Sequence, residues 1–138
     1  MKLEIRKLSE EFKRSYVIFN EDLVAGIRIE KVNYSRSDAG SELELMFRYS
    51  GGGYLGDIQI KKTESGIKGM ESITSFLKPK EYENLRKQLG VGEENVAKTL
   101  MKKIIQEQPD YLTQIGDRLE SEEEKELFGH IVKISRGE

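Results

Sequence analysis

The sequence predicts an α+β fold: an N-terminal antiparallel β-meander of about five strands, with one face covered by three to five C-terminal helices. Three observations carry this. In Glu42 to Lys62, ELELMFRYSGGGYLGDIQIKK, apolar and polar residues alternate on both sides of a glycine-rich loop, the pattern of a half-buried hairpin. Further alternating or β-branched segments precede it. After Gly66 the apolar period changes from two to helical spacing, and strands followed by helices define the α+β class.

Taken in order, Leu3 and Ile5 alternate with Lys2, Glu4 and Arg6 as a first strand. Ser9 ahead of Glu10 and Glu11 suits one capped helical turn. Tyr16 to Phe19, β-branched and aromatic, reads as a second strand, closed by the turn chemistry of Asn20-Glu21-Asp22. A third runs from about Leu23 to Tyr34. Strict alternation puts Leu23, Ala25, Ile27 and Ile29 on one face, and Val24, Gly26, Arg28, Glu30, Val32 and Tyr34 on the other. The polar stretch Ser35 to Ser41 then leads into the hairpin. There Leu43, Leu45, Phe47, Ile58 and Ile60 are expected to face the helices.

In the helical half, Met70, Ile73, Phe76 and Leu77 suggest a first helix that ends before Pro79. Pro79 suits the start of the next, which Gly90 stops after Tyr82, Leu85 and Leu89. A third spans roughly Glu93 to Glu107. Pro109 breaks it, and Tyr111, Leu112, Ile115 and Leu119 make a short amphipathic segment. Ser121 with Glu124 three residues on is a capping box, opening a last helix with Leu127, Phe128 and Ile131. The whole of 1–138 reads as one domain, 1–64 mostly β and 67–135 mostly α.

Leu, Ile, Val and Phe number 37, about 27%, which clears the level below which chains stay disordered. The net charge of −2 points to no polyelectrolyte partner, and the lack of cysteine removes disulfides and thiolate chemistry. No signal-peptide core or spanning segment is evident, so a cytoplasmic protein is expected, with no membrane partner. Charge is uneven, however: 68–103 carries eight basic and five acidic residues, and 107–126 two basic and eight acidic. Those two stretches could lie side by side and neutralise each other.

No motif defines a reaction. Gly51-Gly52-Gly53-Tyr54-Leu55-Gly56 fits G-x-G-x-x-G, but alternation resumes at once, where a dinucleotide site needs a helix. A hairpin turn with a glycine bulge is the simpler reading, and a phosphate-touching loop the alternative. His130, the single histidine, borders an apolar stripe and makes no metal site alone. Pro109-Asp110 with Glu123-Glu124-Lys125 resembles a nuclease metal motif, yet both halves lie in helical sequence. No cofactor and no metal are expected.

The outward sheet face carries the candidate binding residues: Arg28, Tyr34, Arg48, Gln59 and Lys61, with Gly51, Gly53 and Tyr54 of the loop. Three long cations on adjacent strands suggest an anionic partner, unless Glu30, Glu44 and Asp57 pair with them across strands. The expected function is a small non-enzymatic protein acting by contact with another macromolecule, in an inhibitor, adaptor or immunity-type role. Another protein is the favoured partner, with a second copy of the chain admissible. The alternatives are a nucleotide or single-strand nucleic-acid binder using the open face and glycine loop, and a carboxylate-dependent hydrolase.

Overall fold

The computed structural model describes residues 4–10, 13–19, 26–49, 54–72, 79–90 and 96–137, with the backbone alone at 9, 10, 54 and 70–72. Six strands form an open antiparallel sheet in chain order: β1 (Glu4–Glu10), β2 (Lys13–Phe19), β3 (Ile27–Ser37), β4 (Gly40–Tyr49), β5 (Tyr54–Thr63) and β6 (Gly66–Ser72). Four helices follow among the described residues: α1 (Pro79–Leu89), α2 (Val96–Glu107), α3 (Pro109–Arg118) and α4 (Glu122–Ser135). The α+β class is as expected, and the helices pack against the sheet. Among the described residues no helix is long and apolar enough to cross a membrane.

Two segments differ from expectation, both toward more strand. Ser9 and Glu10 do not open a helical turn; they extend β1, opposite Arg14 and Lys13. A neighbouring strand supplies backbone partners that a single helical turn lacks. Gly66 to Ser72, expected to lead into a first helix at Met70, instead pairs along β5 from Thr63 to Asp57. The rest of that expected helix, 73–78, lies outside the described residues.

A third difference decides which side chains share a face. The β3–β4 register shifts between Ile29 and Lys31, so that Glu30 and Lys31 together oppose Met46. This bulge resets the alternation. Ile27 and Ile29 lie on the buried face before it, and Val32 and Tyr34 join them after it. The assignment of Val32 and Tyr34 to the open face is thereby corrected. A second shift, between Phe47 and Arg48 on the β4–β5 side, accompanies full burial of Leu55, which strict alternation would expose.

The core lies between the sheet and the helices. Leu43, Leu45, Phe47, Ile58 and Ile60 are buried there, as expected, together with Leu100, Ile104, Leu127 and Ile131 from α2 and α4. α4 lies against β4 and β5, α2 reaches β6, and α1, α3 and α4 each pack on α2. The β3–β4 turn also presses on its neighbour. Gly40, at φ +138°, sits where a Cβ would collide with the Lys62 carbonyl oxygen.

The acidic segment pairs with the sheet rather than with α2. Ser121 caps α4 by accepting from the Glu124 N–H (3.2 Å), yet the Glu124 carboxylate turns to the underside of β2. There Arg14 Nη2 lies 2.7 Å from it and the Tyr16 hydroxyl donates to it, while Ser121 Oγ donates at 3.0 Å. Glu124 is fully buried. The Glu120 N–H donates to the Tyr16 hydroxyl at 3.0 Å, and the Tyr34 hydroxyl donates to Glu123 at 2.6 Å. Burial first, then its carboxylate partner, drives the Tyr16 phenol well above the ordinary range and pushes Tyr34 up to about 12. At the rim Glu120 meets Lys7 (2.8 Å) and Glu126 meets Lys62 (2.9 Å).

Removing one partner of a buried ion pair strands the other. Glu124→Gln should therefore cost about 3 kcal/mol, the lower end for such pairs because Arg14 keeps some solvent contact. Glu126→Gln, at an exposed pair, should cost under about 1 kcal/mol. Urea denaturation of both variants checks the contrast; equal losses would mean the buried clamp is worth no more than a surface pair. Gly40→Ala, forced against backbone at positive φ, should lose at least about 2 kcal/mol by the same measurement.

Candidate functional site

The open face consists of three cross-strand rows set by the registers. Val17, Lys31, Met46 and Asp57 form one; Ser15, Asn33, Glu44 and Gln59 the next; Lys13, Ser35, Glu42, Lys61 and Lys68 the last. Successive side chains alternate between faces, so the residues between these lie under the helices. Arg28 and Arg48 stand opposite each other beyond the bulge. Leu8 and Phe19 are 62% and 45% exposed, with the Arg6 guanidinium 5.1 Å from the Phe19 ring centre.

The middle of the face is a hydrogen-bonded polar cluster. Asn33 Nδ2 donates to Glu44 (3.0 Å), and Gln59 Nε2 donates to both Glu44 (3.0 Å) and Asp57 (2.8 Å). Asp57 is only 6% exposed although it belongs to the open side. Burial, and next the neighbouring Asp57, raise the Glu44 carboxyl above its ordinary value, while the Asn33 and Gln59 amides pull it back. A groove of about 360 Å³, lined by Lys13, Ser15, Lys31, Asn33, Glu42 and Glu44 among others, runs alongside.

The expected binding residues are distributed as follows. Arg28, Arg48, Gln59 and Lys61 are on the open face. Two of the cations have carboxylate neighbours: Arg48 pairs with Glu30, and Lys61 Nζ is 3.9 Å from Glu42. Tyr34 is on the helix side, 5% exposed. Gly51 and Gly53 lie outside the described residues; Tyr54 opens β5 opposite Arg48, its side chain likewise outside. Gly56 is a buried β5 residue opposite Phe47. Of the three carboxylates weighed as cation partners, Glu30 takes that role, whereas Glu44 and Asp57 engage amides.

Sequence reasoning passed over Lys13, Ser15, Lys31 and Asn33. The signal was present for Ser15 and Lys13, which alternate with Tyr16 and Arg14 on β2; for Lys31 and Asn33 it is masked by the bulge. Half-buried His130 lies along α4, and Pro109-Asp110 and Glu123-Glu124 begin separate helices. Among the described residues no group of three or more His, Cys, Asp or Glu could hold a metal ion. No protein-family model, characterised protein or solved structure matches this chain.

A carboxyl with a raised folded-state pKa holds its proton to higher pH when folded than when unfolded. Its contribution to stability is complete below the unfolded value and is lost as pH rises through the folded one. Glu44→Gln removes that loss. The variant's melting temperature relative to the parent should therefore climb as pH rises above the ordinary carboxylate range. A flat or falling difference would show that Glu44 titrates normally in the folded protein.

Proposed function

We propose that this is a non-enzymatic binding protein acting by contact with another protein through the open face of its sheet. The observation that carries the reading is the sheet's asymmetry. The helices contact β4, β5 and β6 from one side, and no described element covers the rows through Lys31, Asn33 and Ser35 on the other. An inhibitor, adaptor or immunity-type role in the cytoplasm fits such a module.

Charge favours a protein over a nucleic acid. Strand binders offer cations free for phosphates and aromatic rings for bases. Here Arg48 has Glu30 beside it, Glu44 and Asp57 occupy the centre, and Tyr34 faces the core. Interspersed charges of both signs, with the exposed Leu8 and Phe19 at one edge, suit a protein surface of matching alternation.

A photo-crosslinking residue at Ser15 should give one discrete protein adduct in cells expressing the natural partner, and the same probe at exposed Lys102 on α2 should give none. Arg28→Glu with Arg48→Glu should remove that adduct while the melting temperature stays within a few degrees. A nuclease-sensitive adduct would transfer the reading to nucleic acid. Equal adducts from both positions would remove the open face as the contact surface.

A further inference from the structure

The β3–β4 and β5–β6 hairpins turn at the same end of the sheet, and their sequences correspond: Arg36-Ser37-Asp38-Ala39-Gly40 and Lys62-Thr63-Glu64-Ser65-Gly66. Both end in a glycine at positive φ. In each, the hydroxyl at the strand end accepts the N–H two residues on: Ser37 Oγ from Ala39 (3.3 Å) and Thr63 Oγ1 from Ser65 (3.2 Å). An oxygen that accepts from backbone keeps its own O–H free to donate. Two hydroxyl donors are thus positioned at one end of the sheet.

Cations converge beside them. A groove of about 480 Å³ there is lined by Lys13, Arg36, Lys61 and Lys62, together with Ser37 and Thr63. Lys61 stands directly across from Lys68, while Arg36 and Lys62, which flank Ser41, turn to the helix side toward Glu123 and Glu126. Like charges placed opposite in a sheet are destabilising, so the fold gains nothing from setting Lys61 against Lys68. Glu42 is the one carboxylate among the groove's lining residues, and its 3.9 Å separation from Lys61 is the longest ion pair of the described residues. Lys68 forms no ion pair among the described residues, and Arg36 acts on the Glu123 carboxylate. Lys62 is held by Glu126 at 2.9 Å, which fixes its ammonium near the groove.

We infer that this hairpin end is a site for the phosphoryl group of a small anion, bound by Lys13 and Lys61 with the Ser37 and Thr63 hydroxyls. Tetrahedral phosphoryl oxygens accept several charge-assisted bonds at once, and cations plus free hydroxyls supply them from more than one side. The site shares the Lys13 and Lys61 row with the proposed docking face, and a small-ion probe tests it without a protein partner.

Inorganic pyrophosphate is that probe, titrated at constant ionic strength against amide chemical shifts. Saturable shifts should be confined to 35–42 and 61–66, and Lys13→Gln with Lys61→Gln should bind at least about tenfold more weakly. Lys102→Gln with Lys133→Gln should bind as the parent does. If the first pair fails to fold, Ser37→Ala with Thr63→Ala decides: clear weakening supports the site, and unchanged affinity overturns it. ADP and O-phosphoserine distinguish sources. Tighter binding of either supports the site and names its carrier. Shifts that fail to saturate, spread over all surface lysines, or persist at parental affinity in Lys13→Gln with Lys61→Gln would overturn the inference.

Discussion

The buried Glu124 carboxylate is the constraint on which the rest of this structure depends. A fully buried charge is tolerable only with its lone pairs occupied, and Arg14, Tyr16 and Ser121 occupy them. The arrangement is specific because Arg14 and Tyr16 are consecutive same-face residues of β2, while Glu124 is the third residue of α4. Only one placement of the helix on the sheet satisfies all of them. The local capping scheme gives way to it: the glutamate that would return to the cap's own N–H reaches across to another element. Arg14 Nε remains buried without a partner among the described residues, a cost accepted within the same network.

With α4 so placed, the division of the sheet into two unlike faces follows from one extra residue. Without the bulge at Glu30, the strand that buries Ile27 and Ile29 would point Val32 and Tyr34 into solvent and bury Lys31 and Asn33. The bulge spares the core these polar groups and places Tyr34 beneath the sheet, beside Glu123. It also aims Glu30 at Arg48, so the register device and the charge pattern of the open face are one feature.

Legibility in the sequence tracked the range of the interactions involved. The central hairpin, the Pro79 and Pro109 helix starts, the Gly90 stop and the Ser121 cap were readable, because each is decided by residues a few positions apart. β6 was not, because Ile67, Gly69 and Met70 span too few positions to separate period two from helical spacing; its pairing with β5 decides. Tyr34 was assigned to the wrong face because alternation carries no mark of an inserted residue, and Glu30-Lys31 looks like any exposed pair. The acidic stretch was seen as an oddity of composition, but its partners Lys7, Arg14 and Lys62 are separated from it by the helices or the sheet. For the same reason the central polar cluster was visible only as scattered carboxylates and amides.

Chain order has a consequence for how the molecule is made. Every strand pairs with its sequence neighbour, so the sheet can assemble hairpin by hairpin as it leaves the ribosome. The carboxylate that fastens its cover is encoded at position 124, while the last of the described strands ends at Ser72. At ordinary synthesis rates of roughly 5–20 residues per second, the face bearing Leu43, Leu45 and Phe47 waits some seconds for its helices. During that interval a nascent chain is a one-sided sheet, open to chaperones and to its neighbours on the same message. The edge strand made first carries Glu4, Arg6 and Lys7, charges of both signs that discourage a second sheet from adding to it.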